Sequence, residues 1–316
     1  MRLLSIFLFF ASMQANPFVI DFPEKKDLSH EDLEAVQQML RQKSICDELD
    51  RRYPSNWRKP KFWQKRVIYD DFKNRLERGF RQTLIDRSNN LLPENGLITL
   101  NGGGEDCIVL YASLDRVYPN YLRTLIQGLD EVGFKGNVYY RIGGYPNPTG
   151  EEIRYAGVPY AFKLFMLEEA KNLGFRYLLW LDASLYPIKS ITPLIERLHA
   201  IGMIYKQTTP RLSYMLPKTQ EEIFSLTGID VLKVPHLRMP VFGIDTHLDW
   251  FEDFLEEHKK MVRLGTPFLS CLPEEYVLTA LKEKYFATKI EPSDLLVGFD
   301  YVPSVKNGYY FYLRFH

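Results

Sequence analysis

The run Tyr177-Leu178-Leu179-Trp180-Leu181, ending abruptly at Asp182-Ala183-Ser184, constrains this chain more than any other stretch. So short and nearly unbroken an apolar run fits a strand buried on both faces, as parallel strands of α/β sheets are. Upstream, Gly157 and Pro159 punctuate the start of a segment in which Phe162, Phe165, Met166 and Ala170 recur at helical spacing. Gly174 follows where a helix wants a left-handed cap, so the segment reads as a helix. A helix followed by a buried strand that ends in a carboxylate puts Asp182 at the C-terminal edge of a sheet. Open α/β sheets bind their ligands at that edge.

The same rhythm surrounds this unit. Cys107 to Ser113 reads as a buried strand, Tyr118 to Val132 as a helix with Leu122, Leu125, Ile126 and Leu129 inward, and Gly136 to Ile142 as a second strand. Gly143 to Gly150, rich in Pro and Gly, is a loop. After the central unit come a helix over Ile191 to Leu198 and a short strand over Met203 to Lys206. Strands separated by helices of this length predict parallel βαβ units with right-handed crossovers. Further on, Thr219 to Thr227 reads as a short helix, Pro240 to Ile244 as a strand and Thr246 to Leu264 as a charged amphipathic helix. A helix opens at Pro273-Glu274-Glu275, its acids at the positive end, and the alternating tail Gly308 to His316 reads as a last strand.

The N-terminal third differs. Residues 1–15 have a basic start at Arg2, an apolar core from Leu3 to Ala11 and a small residue, Ala15, which is the grammar of a signal peptide. The apolar core is about half of the ~20 residues a membrane span needs, so no transmembrane anchor is expected once the leader is removed. The expected location is secreted, or the lumen of the secretory route or periplasm. Residues 16–105 read as a helical extension ending in a Gly-rich joint at Asn101-Gly102-Gly103-Gly104, with the main domain over 106–316. No Lys-Ser/Thr follows those glycines, so they do not form a phosphate loop. Trp57, Phe62 and Trp63 lie among basic residues, but Asp70, Asp71, Glu77 and Asp86 dilute the charge.

Composition narrows the partners. Lys plus Arg and Asp plus Glu number 40 each, so no net charge draws the chain to nucleic acid. The 20 Tyr and 21 Phe offer either stacking surfaces or large core side chains. Cys46, Cys107 and Cys271 have no metal-ligand spacing, and Cys107 reads as a small buried hydrophobe.

Several of these pieces together resemble a GT-A type glycosyltransferase, over roughly the last two-thirds of the chain. They are the strand end at Ala112-Ser113, the Pro159-Tyr160-x-x-Lys163 helix start, the Trp180-Leu181-Asp182-Ala183-Ser184 strand end, Phe242-Gly243-Ile244-Asp245, and the Pro-Glu-Glu-Tyr-Val start at Pro273. The resemblance implies a GT-A-like, Rossmann-type mixed and mostly parallel sheet flanked by helices. It also implies a nucleotide-sugar donor lying across the C-terminal edge. In that family an Asp-x-Asp motif holds a divalent cation, Mn²⁺ or Mg²⁺, that bridges the donor phosphates. Here the second carboxylate is replaced by the hydroxyl of Ser184, a weaker oxygen ligand.

The resemblance makes Asp182 and Ser184 candidate metal ligands, completed by a downstream histidine, His316 or His247. The donor-binding candidates are Ser113 for base or ribose, Arg141 and Lys163 for phosphate, Tyr160 and Asp182. Four of them have a plain alternative: Ser113 and Arg141 as strand ends, Lys163 reaching to solvent, Asp182 as a turn or cap residue. Asp245 and Glu275 are the candidate acceptor-binding or general-base carboxylates, with Glu274 read as a helix cap. The expected reaction is transfer of a sugar to a hydroxyl of a glycan, protein or lipid. One rival is a non-catalytic nucleotide- or carbohydrate-binding protein that kept the fold, which Ser184 favours. The other, a secreted α/β hydrolase, lacks a Gly-x-Ser-x-Gly elbow.

Overall fold

The computed structural model describes residues 94–113, 117–155, 158, 160–208, 215, 217–270, 272–286, 296–298 and 301–314. The expected leader, the helical extension up to residue 93, and His316 lie outside the described residues.

The central strand is β4 (Tyr177–Leu181), over the residues its apolar run predicts. Its side chains alternate between two cores: Leu178 and Trp180 enter one, Leu179 and Leu181 the other. Strand β2 (Asp106–Ala112) divides in the same way, with Cys107 and Val109 on one side and Ile108 and Leu110 on the other. A strand packed on both faces must be apolar throughout, which is why these runs carry no polar alternation.

Six strands form the main sheet in the order β1-β3-β2-β4-β7-β6. They are β1 (Glu94–Leu100), β3 (Gly136–Ile142), β6 (Met203–Thr208) and β7 (His236–Asp245) beside β2 and β4. Pairing is parallel at β2–β3 and β2–β4 and antiparallel at β1–β3, β4–β7 and β6–β7. Strands β2, β3, β4 and β6 therefore point one way, and the sheet is mixed and mostly parallel in direction, as expected. Helices α2 (Phe162–Asn172), α5 (Phe251–Leu264) and α6 (Pro273–Tyr285) cover one face. Helices α1 (Tyr118–Glu131) and α3 (Thr192–Ile201) cover the other. Helix α4 (Pro217–Thr227) packs on the start of α6 through Ile223 and Tyr276. A small second sheet, β5 (Leu185–Pro187), β9 (Phe311–Leu313) and β8 (Val297–Gly298), brings the tail back beside the end of β4, and the short helix α7 (Tyr301–Lys306) joins β8 to β9.

Two readings change. The end of the stretch expected to be a helical extension, just before the Gly-rich joint, is β1, which pairs along its length with β3, so among the described residues the main sheet already includes Glu94–Leu100. Asn101 to Gly104 is the turn from β1 to β2, and all four residues have positive φ, which explains the glycines. Strand β7 runs ten residues, longer than Pro240–Ile244, and is antiparallel to β4. The polar residues His236 and Arg238 disguise its first half.

Gly243 shows how tightly β6, β7 and α3 fit: a Cβ placed there would lie 2.6 Å from Ile204 Cγ1 and 3.1 Å from Leu198 Cδ2. Gly243→Ala is predicted to cost about 1–3 kcal/mol through overpacking. Urea unfolding checks this, and an unchanged midpoint would contradict the close packing.

Candidate functional site at the C-terminal edge of the sheet

Asp182 continues the ladder by one bond, its N–H donating to Pro240 O at 3.0 Å, and the chain then turns, with Leu185 N–H donating to Asp182 O at 2.9 Å. Asp182 thus opens a tight turn from β4 to β5, a position that suits Asp. Its side chain has more than this turn to serve. Lys163 Nζ donates to Oδ1 at 3.0 Å and the Trp180 indole N–H donates to the same oxygen at 2.8 Å. Trp180 precedes Asp182 by two residues, the spacing that puts strand side chains on one face. Among the described residues Oδ2 has no donor, and the Asp182 side chain is 32% exposed.

Lys163 does not reach solvent. Its Nζ lies between Asp182 Oδ1 and Glu274 Oε1, 2.9 Å from the latter, with the rings of Tyr160 and Trp180 at 5.3 and 5.4 Å. Burial works to lower its pKa, but the two carboxylates win and raise it, so Lys163 stays charged. Glu274 is buried as well; burial pushes its pKa up and Lys163 pulls against that. No side-chain hydrogen bond of Glu274 caps α6, so the expected cap is instead the second carboxylate of this cluster.

The two carboxylates expected to do chemistry take other roles. Glu275 is buried, with His236 Nε2 3.1 Å from Oε2, while Oε1 accepts from Arg238 Nε at 2.9 Å and Met239 N–H at 3.3 Å. Burial works to raise its pKa; the His236 hydrogen bond and the Arg238 charge outweigh it and hold the carboxyl below the usual glutamate range. Both oxygens are engaged, so Glu275 fixes the start of β7 to α6 and does not present a base. Asp245 pairs in register with Tyr177, whereas Leu181 pairs with Val241. Asp245 therefore sits at the opposite end of β4, about 13 Å along the strand from the Asp182 edge. There it accepts both Nε and Nη2 of Arg176, at 3.0 and 2.9 Å. His247 follows it at that far edge and cannot complete a site at Asp182.

The donor-binding candidates divide. Ser113 follows β2 at the same edge as Asp182. Arg141 also stands near this edge, but Nη2 donates to Glu169 Oε1 and Oε2 at 2.9 and 3.0 Å. Asn147 N–H donates to the same carboxylate at 2.8 Å, so Arg141 anchors the loop after β3 and is not an open phosphate contact. Tyr160 adopts φ +60, a strained conformation for a tyrosine, just before Lys163. Its ring lies 6.1 Å from Phe162, and Phe162 lies 4.3 Å from Tyr111 and 6.0 Å from Trp180. Tyr111, Tyr160 and Phe162 are half-buried and form an aromatic shelf beside Asp182. Sequence reasoning missed this shelf, because Tyr111 and Phe162 looked like core residues of a strand and a helix.

Among the described residues no group of three His, Cys, Asp or Glu side chains gathers as a metal site. The donors at the turn are hard oxygens, Asp182 Oδ2 and the Ser184 hydroxyl. Both are of the hard-oxygen kind that Mg²⁺ or Mn²⁺ prefers, and they are too few to cage a cation by protein alone.

Fold and site together define a mixed α/β domain whose C-terminal sheet edge centres on one partly exposed aspartate. Solved structures similar to it include a glycosyltransferase involved in glycosylation of the major capsid of PBCV-1, with 15% identity, 66% of this chain and 93% of that one covered, and a TM-score of 0.40. Mouse xyloside xylosyltransferase 1 in its apo form is similar at 10% identity, with 66% and 97% covered and a TM-score of 0.39. The galactosyltransferase LgtC with donor and acceptor sugar analogs is similar at 14% identity, with 55% and 70% covered and a TM-score of 0.33. No protein-family model and no curated protein sequence matches the chain. At these identities and scores the likeness assigns neither substrate nor activity to this chain.

The structural role of Glu275 has a pH signature. Because folding depresses its pKa, the unfolded chain takes up this proton first as pH falls, so the stability Glu275 contributes is full above the usual glutamate value and lost below it. As pH drops below roughly 4.5, wild-type thermal stability is predicted to fall more steeply than that of Glu275→Gln. Parallel slopes in the two proteins would contradict the depressed value.

Proposed function

We propose that this chain is a glycosyltransferase that moves a sugar from a nucleotide-sugar donor to a hydroxyl of a glycan, protein or lipid acceptor. The observation that carries the reading is the state of Asp182: one oxygen is fixed by Lys163 and Trp180, and the other is presented at the C-terminal sheet edge beside an aromatic shelf. A carboxylate cannot bind a diphosphate directly, since both are anionic. It can bind a cation that the diphosphate also binds, or the hydroxyls of a sugar, and both are parts of one donor.

In this reading the shelf of Tyr111, Tyr160 and Phe162, with Ser113, receives the nucleoside, whose base has a face to stack on. Asp182 Oδ2 and Ser184 would hold the divalent cation. Once bound, that cation supplies the positive charge that stabilises the diphosphate as it leaves. Lys163 is a positioning residue: it fixes the Asp182 carboxylate before the donor arrives, so no side chain must reorganise during the reaction. The bond from the sugar's anomeric carbon to the diphosphate oxygen breaks, one to the acceptor oxygen forms, and the proton of the acceptor hydroxyl passes to the departing diphosphate. Glu275 and Asp245 are committed to other partners, so rate enhancement rests on leaving-group stabilisation and positioning rather than on either as base.

The rival, a binding protein without turnover, is favoured by one observation: beside Asp182 the next carboxylate, Glu274, is only 8% exposed and is paired with Lys163. Among the described residues no helix is long and apolar enough to cross a membrane. We further propose the secretory route for the chain, on the leader-like residues 1–15.

The test is calorimetric titration of purified protein with a panel of nucleotide sugars, with and without Mn²⁺, followed by release of nucleoside diphosphate in the presence of acceptor sugars. The expected result is cation-dependent binding of one donor with turnover, and Asp182→Asn, which keeps an oxygen for Lys163 and Trp180, lowers turnover at least ~100-fold. Binding without turnover selects the rival. Binding of no donor overturns both.

A further inference from the structure

The tail returns to the site through Arg314. Its backbone N–H donates to Ser184 O at 2.9 Å, extending the β5–β9 pairing to the turn that Asp182 opens. Its guanidinium then gathers carbonyls from that turn and from α1: Nη2 donates to Ala183 O at 3.0 Å, Leu185 O at 2.8 Å and, on α1, Tyr121 O at 2.8 Å, and Nε to Ser184 O at 3.3 Å. The group lies over the ring of Tyr121 at 4.3 Å and 5.6 Å from the ring of Tyr186.

Its charge distinguishes it from the other arginines of this edge. Arg141 is neutralised by Glu169 and Arg238 by Glu275. Lys163 faces two carboxylates. Arg314 has no carboxylate partner among the described residues; its contacts are carbonyl dipoles and aromatic faces. Carbonyls satisfy the N–H groups of a guanidinium but leave its unit charge uncancelled, and in a half-buried position that charge is screened less than at a free surface. Burial accordingly lowers its pKa. A fold that needed only to close the β4–β5 turn has uncharged donors available for the purpose.

We propose that Arg314 is a positioning residue with a second task, holding an uncancelled positive charge behind the Asp182-Ala183-Ser184 turn that favours an anionic ligand, a nucleoside diphosphate group, at the sheet edge. It does not touch the ligand; it acts through the turn and through its field. The inference rests on the donor-binding reading of the same edge.

The experiment compares wild type, Arg314→Lys and Arg314→Gln for calorimetric affinity toward UDP, GDP, CDP and ADP with Mn²⁺ present, at low and high salt. Wild type comes first: if it binds none of the four, the donor reading fails and the inference with it. If wild type binds one, Arg314→Gln, which retains donors for the carbonyls but no charge, is expected to weaken it about tenfold, with a flatter salt dependence. Arg314→Lys, which keeps the charge, is expected within about threefold of wild type. Equal losses in Lys and Gln with unchanged salt dependence mean a structural clamp alone and overturn the charge proposal while leaving the donor reading intact. No loss in Gln overturns it as well. If Arg314→Gln does not fold, Arg314→Lys decides: affinity near wild type supports the proposal and a tenfold loss overturns it.

Discussion

The ammonium of Lys163, buried between Asp182 and Glu274, joins three elements that sequence alone keeps apart: the start of α2, the end of β4 and the start of α6. Removing a charge from water costs several kcal/mol, and a buried ion pair regains this only with close geometry and further hydrogen bonds. Here the geometry is close and the surrounding rings of Tyr160 and Trp180 add favourable cation contacts. A group of apolar side chains of equal volume would serve packing as well or better. What apolar packing would not give is a carboxylate with one oxygen locked and the other free to meet a ligand.

The neighbouring acids show how one helix start divides its labour. Glu274 and Glu275 are consecutive, so on the first turn of α6 they point apart. Glu274 closes the Lys163 cluster, and Glu275 binds His236, Arg238 and the backbone of Met239. The antiparallel strand β7 is thereby anchored beside β4, and Pro240 on β7 in turn receives the N–H of Asp182. Arg314 fastens the opposite side of the turn, so Asp182 is set from α2, β7 and the tail together.

Much of this fold can be read from residue pattern. Tyr177–Leu181 and Gly136–Ile142 are strands over the bounds their apolar runs predict, because a doubly covered strand leaves a continuous signal. Strand β1 was hidden by the adjoining glycines and by the exposed Leu97, which break the alternation of an edge strand. The placement of Asp182 followed from its position after a buried strand. The roles of Lys163, Glu274 and Glu275 did not, because a lysine inside a helix and adjacent acids at a helix start carry no record of which tertiary partner each meets. Asp245 misled for a related reason: sequence distance from Asp182 does not tell strand direction, and an antiparallel β7 carries its last residue to the wrong edge.

The central claim is that a diphosphate and its cation seat over Asp182 at the C-terminal edge of β4. Crystals grown with Mn²⁺ and the nucleoside diphosphate that binds, recorded for the anomalous signal of manganese, test it most directly. The account predicts a manganese peak contacting Asp182 Oδ2 and the phosphate oxygens, with Lys163 still on Oδ1. A diphosphate bound at another edge of the sheet, or manganese held by residues away from the Asp182–Ser184 turn, would contradict it.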